Sequence, residues 1–146
     1  MLELCDGRGG VPVTEKEEDL YWLAATILQE AGAEPQLGKL GVGWSIMNRV
    51  HKQGRRVVQI VLAPWQYSCW NTTSPTRKLL VTRQAATWAA CVEAAQQSYH
   101  AQVPDPTFGS THYLRPDVLK NLPEWYRKDL VRAVLGHHHF LVPAGE

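Results

Sequence analysis

Charge of a single sign is missing from this sequence: 15 Lys and Arg stand against 14 Asp and Glu, a formal balance of +1. A domain that grips nucleic acid gathers basic residues on one face. Here they are scattered, so no nucleic-acid partner is expected. Cysteine is scarce and odd in number, with Cys5, Cys69 and Cys91 widely spaced. That excludes a disulfide framework or a C-x-x-C metal knuckle and leaves reduced thiols used for packing. No apolar run approaches the ~18 residues that span a bilayer, so a soluble chain is expected. Residues 1 to 14 have no basic region leading into an apolar stretch. No signal peptide is expected, and synthesis in the cytosol is the expectation. Also absent are a G-x-S-x-G elbow, a phosphate-cradling loop, a dinucleotide fingerprint, H-E-x-x-H and internal repeats.

What is present fits one domain. A chain of 146 residues buries roughly 70% of its unfolded surface. Residues 1–13, broken by Gly7, Gly9, Gly10 and Pro12, read as an irregular lead-in, and residues 14–146 as one domain. Thr14 and Glu17 form a Thr-x-x-Glu capping box. The helix it opens carries Leu20, Leu23, Ala24, Ile27 and Ala31 on one face and stops at Gly32. A second helix is predicted over 37–51, with Leu40, Trp44, Met47 and Val50 sharing a side and Gly41 and Gly43 allowing close approach. Residues 57–62 are ambiguous between helix and strand. Residues 64–81 read as a surface loop, 82–98 as a third helix capped by Thr82, 103–115 as a second irregular segment, and 123–135 as a last helix ending at Gly136. Six tryptophans are many for this length. Most are expected in the core, with some lining a groove, because the indole N–H wants a partner.

Glu30 stands out among the acids. On a helical wheel it lies at the edge of the apolar stripe of Leu23 and Ile27, in the last helical turn, where the dipole disfavours a negative charge. Partial burial and that dipole both push its pKa upward, which suits a group that must protonate a glycosidic oxygen. A plainer alternative has Glu30 snorkelling or pairing with Arg49. Glu34 is a second carboxylate, either a partner across a scissile bond or a capping group. The histidines His112, His137, His138 and His139, with Asp105 or Glu30, invite a metal reading. Their spacing matches no paired-ligand motif, so no metal and no cofactor is expected.

Four segments, in order and the fourth of them in two pieces, resemble one family of cell wall hydrolases, that of the spore cortex-lytic transglycosylases, which also supplies phage endolysins. ATILQEAGAEP at 25–35 is similar to the family's A-x-x-x-x-x-E-A-x-G-E-P, and GKLGVGWSIMNRV at 38–50 to a helix ending in L-N-R-V. PWQYSCW at 64–70 resembles a Q-F-S-C-W loop. DPTFGSTHYL at 105–114 and LGHHHFL at 135–141 resemble D-P-T-G-G-A-T-H-F-Y and I-G-x-H-x-F-Y. The glycine of the first motif is displaced to Gly32, which alters the turn between Glu30 and Glu34.

The resemblance implies a mostly α, single lysozyme-like domain similar to lytic transglycosylases and resuscitation-promoting factors. It implies Glu30 as catalytic acid and base, Glu34 as a secondary carboxylate, and Gln66, Ser68, Trp70, Thr111, His112, Tyr113 and His138 as residues of a glycan groove. The expected substrate is the peptidoglycan glycan strand, cut between N-acetylmuramic acid and N-acetylglucosamine. The expected setting is a monomeric phage or prophage endolysin, made in the bacterial host cytoplasm without a signal peptide and acting on the cell wall after release through a membrane-permeabilising holin partner. Two rivals stand beside this: a metal-dependent amidase or endopeptidase using the histidines, and a glycan-binding virion protein without turnover.

Overall fold

The computed structural model describes residues 14–63, 66–67, 70 and 85–146. Four helices come first: α1 (Glu15–Ala31), α2 (Gln36–Gln53), α3 (Val57–Val61) and α4 (Ala85–Tyr99). Three short strands follow, β1 (His112–Leu114), β2 (Val131–Leu135) and β3 (His138–Leu141). They form an antiparallel sheet in the order β1-β3-β2. No described helix is long and apolar enough to cross a membrane.

Helix α1 starts and stops where its sequence says. The Thr14 hydroxyl accepts the Glu17 amide at 3.1 Å and donates to the Glu17 carboxylate. Gly32 closes the helix, in a right-handed conformation (φ −58°) rather than the left-handed one usual for a glycine stop.

Helix α2 is more deeply buried than a single apolar stripe predicts. Leu40 and Met47 are buried and Trp44 and Val50 half-buried, but Val42 and Ile46, on another side, are fully enclosed. The reason is that α2 packs against α1 and α4 and also carries the sheet. Its glycines make both contacts possible. A Cβ on Gly41 would lie 2.7 Å from the Phe140 ring, and one on Gly43 2.5 Å from the Ser98 hydroxyl.

The ambiguous segment at 57–62 is the short helix α3, whose Val57, Ile60 and Val61 are buried. Helix α4 occupies the place expected of the third long helix, and Thr82, its expected cap, lies outside the described residues. The free thiol of Cys91 sits fully buried on α4, and burial pushes its pKa up to about 11, which leaves it a packing group. Cys5 and Cys69 are outside the described residues.

The last helix expected at 123–135 is not formed. A single 3-10 turn (Lys128–Leu130) leads into β2, where Val131, Ala133 and Leu135 face inward and Arg132 and Val134 outward. That is period two rather than period 3.6, with β-branched Val131 and Val134 suited to it. What decides the outcome is the partner strand β3, joined by a two-residue loop whose Gly136 has φ +60°. A bulge at Arg132 lets its guanidinium reach the Phe108 carbonyl at 2.8 Å. The segment 103–115, expected to be irregular, carries β1, and the chain end carries β3.

Candidate active site

The two carboxylates singled out in the sequence occupy different settings. Glu30 is half-buried in the last turn of α1. Glu34, in the connection to α2, is 6% exposed and fully engaged. Its carboxylate accepts the His137 amide at 2.7 Å, His137 Nδ1 at 2.8 Å and His138 Nδ1 at 3.1 Å. Its backbone carbonyl accepts Lys39 Nζ. Burial alone would raise the Glu34 pKa, but the bonds from His137 and His138 together bring it down to about 2. The arrangement therefore makes Glu34 a permanently ionised clamp between the α1–α2 connection and the tip of the β2–β3 hairpin.

His138 is 2% exposed, and burial holds its pKa below the ordinary value of 6.5 despite the carboxylate beside it. A neutral ring that donates through Nδ1 satisfies both groups. Tyr113 packs edge-on to His138 at 5.2 Å and continues to Tyr67 at 6.4 Å. Trp70 is buried rather than open to a groove. Its ring meets Trp22 edge-on, and its Nε1 donates to Thr26 Oγ1 at 2.9 Å, one helical turn before Glu30. Ser68 lies outside the described residues.

Gln66, Thr111 and His112 meet at a cavity of about 270 Å³, which Arg49 and Lys52 of α2 also line. Burial, then Arg49, push the His112 pKa down to about 4. Trp125, 37% exposed, packs on the His112 ring at 5.1 Å.

Asn48, Arg49 and Asp105 organise this region; the sequence marks Asp105 only as a candidate metal ligand and Arg49 only as a partner for Glu30, and Asn48 not at all. Asn48 Nδ2 donates to Asp105 Oδ2 and to the Ser110 carbonyl, both at 2.9 Å. Arg49 donates through Nε to the Thr111 carbonyl and through Nη1 to Gln66 Oε1, with its guanidinium 5.5 Å from the Tyr67 ring. Asp105 also receives the Thr107 amide and hydroxyl and the Gly109 amide. Burial would raise its pKa, but these donors, Asn48 first, hold it low. The signal was the N-R-V ending of the second motif, which on its own names residue types without naming what they touch. Within the clamped loop Phe108 has φ +55°, where the related motif has glycine.

The histidines of the metal reading go to separate places. His137 and His138 hold Glu34, His139 meets the Tyr126 hydroxyl at 3.1 Å, and His112 meets Thr111 Oγ1 at 2.9 Å. Among the described residues no group of three His, Cys, Asp or Glu side chains converges.

Together the helices and the small sheet define a single, mostly helical, lysozyme-like domain. The fold is that of the catalytic domain of the Bacillus cereus SleB protein, with a TM-score of 0.64 and 23% identity over 94% of this chain and 99% of that one. The catalytic domain of the germination-specific lytic transglycosylase SleB from Bacillus anthracis is similar to the same extent, with a TM-score of 0.67 and 19% identity over 94% and 99%. Residues 33–141 match the family model of the Cell Wall Hydrolases, and the chain belongs to that family. The match takes in Glu34, Gln66, the loop held by Asp105 and the hairpin, and begins three residues after Glu30. No curated protein matches the sequence.

Proposed function

We propose that this enzyme cleaves the glycan strands of bacterial peptidoglycan between N-acetylmuramic acid and N-acetylglucosamine, as a lytic transglycosylase with Glu30 as acid and base. The observation that carries the reading is the inequality of the two carboxylates. Glu34 is held ionised by three donors and has no proton to give, whereas Glu30 ends its helix half-buried beside it in sequence. One working carboxylate suits a reaction in which the substrate supplies its own nucleophile. Glu30 protonates the leaving glycosidic oxygen. The resulting carboxylate then accepts the proton of the muramyl 6-hydroxyl as that oxygen attacks the anomeric carbon and closes a 1,6-anhydro ring. Gln66, Thr111, His112 and Tyr113 are assigned to substrate binding, while Trp70 and His138 act from beneath by fixing the elements that carry the site. The family and the two SleB catalytic domains support the substrate class.

Digestion of purified peptidoglycan, followed by mass spectrometry of the soluble products, tests the proposal. The wild-type protein is expected to release muropeptides with anhydro-muramic ends, and Glu30→Gln to release fewer by at least about a hundredfold. Reducing ends instead would make the reaction a hydrolysis, and undiminished cleavage by Glu30→Gln would remove Glu30 as the acid.

A further inference from the structure

The cavity beside Arg49 contains a carboxylate supplied by the protein itself. The Glu146 side chain lines it and lies 3.7 Å from His112 Nε2, facing a wall that includes Arg49 and Lys52. Arg49 is 8% exposed and fixed through Nε and Nη1. Among the described residues its Nη2 meets no acceptor. Lys52 stands one turn along the same face of α2, and among the described residues no carboxylate lies within ion-pair distance of it. The negative end of a helix accounts for a lysine in its last turn. It does not account for an immobilised arginine, a glutamine and a threonine–histidine pair converging with that lysine on one cavity.

We propose that this cavity is a carboxylate subsite for the substrate, with Glu146 lying at its His112 wall in the free protein. The proposal rests on the peptidoglycan reading above. Peptidoglycan offers the chemistry twice, in the carboxylates of its peptide stems and in the lactyl carboxylate of muramic acid where a stem has been removed. A guanidinium already oriented by two bonds, with an ammonium beside it, discriminates a carboxylate from its amide by charge-assisted hydrogen bonding. The position is suitable. Along β3, Leu141 at the cavity end and His138 at the Glu34 end are three residues apart, about 10 Å of strand, which three or four extended stem residues cover. Glu146 is 44% exposed and held by a single long contact, so a substrate carboxylate displaces it.

Calorimetric titration of the Glu30→Gln protein tests this without turnover. The probes are an N-acetylated stem peptide, N-acetylmuramic acid and the fully amidated form of the peptide. At least one carboxylate probe should bind more tightly than the amide; preference for the peptide assigns the site to stems, and preference for N-acetylmuramic acid assigns it to the lactyl group. Lys52→Gln should weaken that binding roughly tenfold, and Glu146→Gln should strengthen it severalfold. Opposite signs from two exposed substitutions are not produced by a general loss of structure. Equal affinity for acid and amide, or no response to either substitution, overturns the proposal. Because these readings do not depend on cleavage, a Glu30→Gln protein that still cut glycan would refute the assigned acid while leaving the subsite standing.

Discussion

At Glu34 a backbone amide and two imidazoles converge on a carboxylate whose side chain is 5% exposed. Removing the charge affects stability first. A shift from 4.5 to about 2 corresponds to on the order of 3 kcal/mol in favour of the folded state at neutral pH. Glu34→Gln keeps the size but replaces one acceptor by a donor that faces a histidine. We expect urea unfolding to show a loss of about 2–3 kcal/mol. At temperatures where the variant is folded, it should still generate anhydro ends. A folded Glu34→Gln protein without activity would instead make Glu34 a participant in the chemistry. Glu34 as a candidate carboxylate was legible from its spacing to Glu30. Its engagement was not, because the donors lie 103 and 104 residues further along the chain.

Elements set by local signals were the ones the sequence displayed. The Thr14 cap, the stripe of α1 and the stop at Gly32 act within a few residues of one another, and α1 runs as expected. Residues 131–135 went the other way because their helix-compatible composition was outweighed by a strand partner whose pairing no local pattern announces. Gly41 lies between these cases. Its presence signalled a close approach, and the approaching group is the Phe140 ring of β3, with Leu135 of β2 beside it. Alanine in a helix ordinarily gains up to about 1 kcal/mol over glycine. Here its methyl would stand 2.7 Å from a fully buried ring and 2.8 Å from Leu135 Cδ1. We expect Gly41→Ala to destabilise by about 1–2 kcal/mol in a denaturant titration, overpacking outweighing helix propensity. A more stable variant would mean that the sheet can lift from α2 at little cost. The same distinction applies to the candidate site: Gln66, Thr111 and His112 line one cavity, while the Asn48 and Arg49 contacts around them were visible only as letters in a motif.

Among the described groups that titrate below neutral pH with a resolved shift, all point the same way apart from Asp19, whose pKa is raised chiefly by burial. His112 and His138 have pKa values below the ordinary 6.5, so the unfolded chain takes up their protons first. Their contribution is present above pH 6.5 and is lost as pH falls, for His112 towards about 4. Glu34 and Asp105 are depressed carboxylates, and for Glu34 the loss runs from 4.5 down towards about 2. Stability should therefore decline in two stages on acidification. Thermal melts followed by circular dichroism at pH 7, 5 and 4 are expected to show a falling midpoint already at pH 5. His112→Gln should flatten the upper stage, and a midpoint independent of pH between 7 and 4 would contradict the assignment of neutral, buried histidines.

The Glu34 clamp also bears on the order in which the native state is reached. Packing of α1 against α2 and α3 closes short loops and proceeds from nearby sequence, whereas the contact of Glu34 with His137 closes a loop of about a hundred residues, the slower kind of event. Because that contact fixes the connection immediately following Glu30, we expect the surroundings of the proposed acid to form after the helices, so that a partly folded chain has its helices before it has the candidate site.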